Sequence, residues 1–149
     1  MTFFEFSFRR KVAEENMLSA ITDFFYGKNI LAYPFEAYYA EDKTKSKGHP
    51  HIAYKFYYSN KGFETFFKGE AYEFDPEFNE LTLAFFFAET FQTEVVIGDF
   101  TGRSSFLLIK GDKTVYRAAP IGIGDTQYKE DIFEINYESL SPANDLVSG

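Results

Sequence analysis

The sequence predicts an α+β domain, with a curved antiparallel sheet or partial barrel of seven to nine strands packed on one N-terminal helix. Three observations lead there. A single stretch, residues 12–26, carries its apolar side chains at three- and four-residue spacing. After it, the chain breaks into short runs rich in Phe, Tyr, Val, Ile and Thr, divided by turn-forming Gly, Asn and Asp. Finally, 20 Phe and 11 Tyr in 149 residues, with no Cys, describe an aromatic core that is not held by disulfides.

The first strand is "FFEFSFRR", residues 2 to 9, where aromatics partly alternate with polar residues. In the helix that follows, Met17, Ala20, Ile21, Phe24 and Phe25 form the apolar stripe, and Gly27 is placed to end it. "NILAYPFEAYYA" reads as a strand interrupted at Pro34, which assigns it to a sheet edge or a bulge. "HIAYKFYYS" puts Ile52, Tyr54, Phe56 and Tyr58 on one face, and "NKG" turns the chain into "FETFFKG". A strand from Glu70 to Phe74, a turn from Asp75 to Asn79 and a returning strand with Leu81, Leu83, Phe85 and Phe87 inward make the expected next hairpin. Asp75-Pro76-Glu77 would equally suit a helix N-terminus. The Phe run and the Thr residues favour the strand. Further strands are expected at 93–98, 104–110, 113–118 and 131–137. One domain spans 1–149, and residues 139–149 read as a frayed tail.

The net charge of −8 is unevenly distributed. Residues 1–62 hold nine Lys/Arg against seven Asp/Glu, whereas residues 63–149 hold six against sixteen. That balance argues against a nucleic-acid or anionic-membrane partner, which needs a basic stripe. The N-terminus has its charges after a short apolar stretch, the reverse of a secretory signal, and the longest uncharged run is eight residues. A cytoplasmic protein is the expectation.

Residues with catalytic chemistry are sparse. His49 and His51 are the two histidines, and an H-x-H spacing on an extended chain places both rings on one side. Metal-binding barrels of the cupin type add a Glu three or four residues on, where this chain has Lys55 and Phe56, so the pair is expected in a solvated loop without metal. The nucleophile elbow G-x-S-x-G is absent, and "GIGDT" lacks the lysine of a phosphate loop. No catalytic residue and no cofactor is assigned.

The acidic segment "EAYEFDPEFNEL" at 70–81 is the candidate binding surface. Glu70, Glu73, Asp75, Glu77 and Glu80 would steer a basic protein partner, and Phe78 would anchor it, since charges set encounter and a buried ring sets residence. Glu130, Asp131 and Glu134 are a second acidic group. The alternative is a small-molecule binder or cofactor-free enzyme whose aromatic-lined sheet encloses a pocket. In general character the chain resembles the small immunity proteins with which bacteria neutralise polymorphic and contact-dependent toxins, which are acidic, cysteine-free and cytoplasmic. The resemblance implies a non-catalytic inhibitor of a basic toxin, such as a nuclease, and assigns no residue a role.

Overall fold

The computed structural model describes residues 2–25, 29–40, 48–73, 80–98, 106–122 and 133–146. The strands are β1 (Thr2–Phe8), β2 (Leu31–Pro34), β3 (His51–Tyr58), β4 (Thr65–Tyr72), β5 (Val95–Gly98), β6 (Phe106–Ile109), β7 (Val115–Gly122) and β8 (Phe133–Pro142). They form one sheet in the order β2-β3-β4-β1-β5-β6-β7-β8. Every pairing is antiparallel except β2 with β3. The helices are α1 (Glu14–Phe24), α2 (Phe35–Ala40) and α3 (Glu80–Phe91). This is the expected α+β class with a curved sheet.

Helix α1 starts with Glu14 and Glu15, whose charges suit the positive end of the helix dipole. It buries Met17, Ala20 and Ile21, and Phe25 is buried at its C-cap. Phe24 is half-buried and packs its ring on Phe86 of α3, 5.2 Å between centroids. Gly27 lies outside the described residues.

The expected hairpin strand at 80–90 is corrected: it is helix α3. Leu81, Ala84 and Ala88 are buried at spacings of three and four, as are Leu83 and Phe87, whereas Phe85 is only half-buried. The two small alanines let the helix sit close to the sheet. Phe87 packs edge-on against Phe6 and Phe8, at 5.1 and 5.7 Å. Both α1 and α3 therefore cover the sheet face that carries Phe4, Phe6, Phe8, Tyr54 and Phe67.

Three further expectations change. Past Pro34 the chain is α2 rather than a resumed strand, although β2 is indeed an edge strand, where a residue without an N–H is tolerated. Phe66 and Glu70 belong to one continuous strand, β4. The stretch expected to fray at 139 instead completes β8 to Pro142 and buries Ala143, whose N–H donates to the Val115 carbonyl at 2.9 Å. A single 3-10 turn, Asn144–Leu146, follows. There Asp145 accepts two hydrogen bonds, at 3.0 and 2.9 Å, from the buried guanidinium of Arg117. This bidentate pair fixes the 3-10 turn to β7.

Strand β8 is four places from β1 in the sheet, a contour of about 19 Å at about 4.8 Å per strand. Yet Arg9, just past β1, donates to Glu134 of β8 at 2.9 Å and also to the Tyr137 hydroxyl. No arginine side chain reaches 19 Å, so β5–β8 must curl back over β1. The interior of that curl holds a second, smaller core of Phe63, Phe66, Val96, Leu108, Ala118 and Ile135.

Candidate functional site

The curl is closed at its Arg9 end and open at the other. At the open end lies a groove of about 790 Å³ on the sheet face that α1 and α3 leave uncovered. Strand alternation decides what lines it. On β1, Phe4, Phe6 and Phe8 point to the helices, so Phe3, Glu5 and Ser7 point into the groove. The β1–β4 register places Glu70 opposite Phe3, Lys68 opposite Glu5 and Phe66 opposite Ser7. Val96 and Gly98 of β5, Phe106 of β6, and Pro120 and Ile121 of β7 continue the floor and the far wall, with Phe35 of α2 and Glu80 of α3 at the rim.

The groove has a polar end and an apolar end. Among the described residues, three carboxylates, Glu5, Glu70 and Glu80, stand at the β4 end with one cation, Lys68, whose Nζ is 3.5 Å from Glu5. Glu70 accepts a hydrogen bond from the Tyr72 hydroxyl. Glu80 accepts one from the Glu5 backbone N–H at 2.9 Å and has no ion-pair partner among the described residues. Burial pushes the Glu80 carboxyl above its ordinary value; the Glu5 N–H opposes that rise and the neighbouring Glu5 carboxylate adds to it. Lys55, opposite Lys68 in the β3–β4 register, does not line the groove and sits over the Tyr57 ring. At the β7 end the walls are Phe106, Pro120 and Ile121. Phe3 is 63% exposed and Ile121 41%, so the mouth presents two large apolar side chains to solvent.

Of the residues expected to bind a partner, Glu70 and Glu80 come together at this groove. Glu73 is exposed just beyond β4, in a left-handed backbone conformation with φ 62°, and does not line it. Asp75, Glu77 and Phe78 lie outside the described residues, as do Glu130 and Asp131. Glu134 is engaged with Arg9, which holds its carboxyl below the usual range. Phe3, Glu5, Lys68, Phe106 and Ile121 were not anticipated. The signal for the first two was present in "FFEFSF": once Phe4, Phe6 and Phe8 are assigned inward, Phe3 is a lone aromatic on the opposite, polar face.

His51 does not sit in a solvated loop. It opens β3 and is 3% exposed, stacked on Tyr72 at 5.2 Å and tilted against Tyr38 at 5.4 Å. Its Nδ1 is 2.8 Å from the His49 carbonyl, which can only accept, so Nδ1 carries the proton of the neutral ring. Nε2 is then the acceptor for the Tyr38 hydroxyl at 3.2 Å. His49 Nε2 meets the Asn29 carbonyl at 2.9 Å. The two rings thus have separate partners. Among the described residues no group of three or more His, Cys, Asp or Glu is arranged to hold a metal, and no helix is long and apolar enough to cross a membrane.

Comparison with protein-family models, curated proteins and solved structures returns no match. The functional reading rests on the groove.

Proposed function

We propose that this chain is a non-catalytic inhibitor that binds a basic protein partner stoichiometrically, in the manner of toxin-immunity proteins, and holds it at the open end of the curled sheet. The observation that carries the reading is the composition of the groove: exposed Phe3 and Ile121 beside three carboxylates and one lysine. Apolar side chains provide the area to bury on association, and the surrounding negative charge favours a cationic partner over an anionic one. The wider charge asymmetry agrees, since residues 63–149 hold sixteen acids and six bases.

The test is affinity capture from the source cells with the wild type and with Phe3→Asp and Ile121→Asp in parallel. Both positions are exposed, so the variants should fold. A basic protein retained by the wild type and lost from both variants, then shown by calorimetry to bind one-to-one and more weakly at high salt, is the expected result. Equal capture by all three proteins would remove the groove from the interface.

A second reading is favoured by one measurement. The groove volume lies inside the range of about 300 to 1,000 Å³ typical of small-molecule sites, and five of its lining residues are Phe. A small apolar compound retained through native mass spectrometry, and lost in Phe3→Asp, would select this reading instead.

A further inference from the structure

The groove has a direction, and that direction specifies the occupant more closely than "basic". From Glu70 on β4 to Ile121 on β7 is four interstrand steps, a contour of about 19 Å. An extended chain advances about 3.3 Å per residue, so about six residues would follow that contour, and fewer cross the shorter chord that the curl leaves. The β4 end is carboxylate-rich and the β7 end is apolar. Resting on the protein-binding reading above, we propose that the groove takes an extended segment of the partner that places a lysine or arginine between Glu80, Glu5 and Glu70. An aliphatic or aromatic side chain about four residues away then lies against Phe106 and Ile121.

Charge complementarity argues for this occupant. Among the described residues three carboxylates share the polar end with one ammonium, and that ammonium is already directed at Glu5. Glu80 is half-buried beside a like charge and has no ion-pair partner among the described residues, an arrangement that a cation entering the groove would improve. A partner's lysine or arginine would supply the missing charge at a partly desolvated position, where it counts for more than on an open surface. Phe3 stands opposite Glu70 in the register. Its exposed ring offers the stem of such a side chain an apolar surface to lie along while the head reaches the carboxylates. Among the described residues the apolar end is walled by Phe106, Pro120 and Ile121, so it suits a hydrocarbon group. A second copy of this chain fits less well, because its acidic half would meet an acidic rim.

The test uses acetylated, amidated, fluorescently labelled six-residue peptides read by anisotropy. Lysine, arginine, norleucine or glutamate occupies the first position, and leucine or serine the fifth. The Lys/Leu and Arg/Leu peptides should bind at least tenfold more tightly than the norleucine/Leu peptide, with no detectable binding of the Glu/Leu peptide. Replacing the fifth leucine by serine should weaken binding severalfold. Glu80→Gln keeps the acceptor for the Glu5 N–H, so it tests charge with the fold retained, and it should remove most of the preference for lysine over norleucine. Equal affinity for the lysine and norleucine peptides would overturn the inference, as would a preference undiminished in a Glu80→Gln, Glu5→Gln double variant or no binding of the Lys/Leu peptide. So would a Phe3-dependent dimer that excludes the peptides. If a captured partner still depends on Phe3 when the peptides show no charge preference, the protein-binding reading stands without this one.

Discussion

Arg9 and Glu134 meet at the closed end of the curled sheet, joined by a pair of guanidinium–carboxylate hydrogen bonds although their strands are four places apart in sheet order. The guanidinium also lies over the Phe63 ring, 4.1 Å from its centroid, and donates to the Tyr137 hydroxyl, which in turn donates to Glu94. One side chain thus links β1, β5 and β8 and roofs the smaller core. Burial and the hydrogen bond to Glu94 together push the Tyr137 hydroxyl up to about 12, so it remains a donor at physiological pH.

The pH dependence of this closure has a definite sign. Arg9 lowers the Glu134 carboxyl below its unfolded value, so the pair contributes its stability above the ordinary carboxylate range of about 4.3. That contribution is lost as pH falls through the lower, folded value. Melting temperatures from pH 7 down to pH 3 should therefore fall less steeply for Glu134→Gln than for the wild type, with the two curves converging at the acid end. Arg9→Met should cost about 2 kcal/mol at pH 7, because it removes charged hydrogen bonds and a cation–π contact together. Parallel pH profiles for wild type and Glu134→Gln would show that the pair does not close the curl in solution.

A second prediction concerns Gly69, the cross-strand partner of Phe4. A Cβ at 69 would overlap the Phe4 ring, whose Cδ2 would be 3.0 Å away and two of whose other carbons would be closer still. Phe4 is buried under the helices and cannot swing aside freely. Gly69→Ala should therefore destabilise by about 1 to 3 kcal/mol, although alanine is ordinarily the better strand residue. Phe4→Leu should be less harmful in the Gly69→Ala background than alone. Additive losses in that double-mutant cycle would mean that the two residues do not compete for the same space.

These contacts mark where sequence reasoning ends. Strands β1, β3 and β7 were legible because their neighbours alternate and recognisable turns bound them. Helix α3 was not, because Leu81 to Phe87 is apolar on nearly every side, and the β preference of Phe and Thr outweighed the Ala84 and Ala88 spacing that the fold uses. The parallel β2–β3 pair was equally hidden, since it depends on a crossover through α2. Glu70 and Glu80 were read as two acids of one acidic segment. Their association with Phe106 and Ile121 comes from the curl, a long-range feature that no local pattern encodes.

The identity of α3 can be tested directly. Phe87 is fully buried between Phe6 and Phe8, and Phe85 is only partly so. A strand with period 2 would bury both alike. Phe87→Ala should cost about 3 to 5 kcal/mol and Phe85→Ala clearly less, measured by denaturant unfolding. Equal losses at 85 and 87 would restore the strand.

His51 gives a prediction about a proton. With Nδ1 donating to the His49 carbonyl, Nε2 has to accept, and the Tyr38 hydroxyl is its donor. Nitrogen-15 NMR of the neutral ring should show a protonated Nδ1 and a bare Nε2, the less common tautomer of free histidine. Tyr38→Phe should destabilise by about 1 to 3 kcal/mol, since it strands a buried acceptor while preserving the ring stack. The opposite tautomer would contradict this network.

The last prediction joins stability to the proposed binding role through Glu80. Its carboxyl is raised, chiefly by burial, so relative to the unfolded chain the folded state favours the protonated form. The sign is opposite to that of Glu134: the favourable contribution is complete below the ordinary carboxylate range of about 4.3 and is lost as pH rises through the folded value. Wherever the carboxylate is ionised it is therefore a burden on the fold. Glu80→Gln keeps an oxygen to accept the Glu5 N–H at its present 2.9 Å and removes the charge. Its melting temperature should equal or exceed that of the wild type at pH 7, and the two should coincide near pH 3.5. A residue that weakens the free protein and tightens its complex is what a binding site under selection for function leaves behind. If Glu80→Gln instead melts several degrees lower at pH 7, the charge has a stabilising partner in the free protein, and the groove does not await a cation at that position.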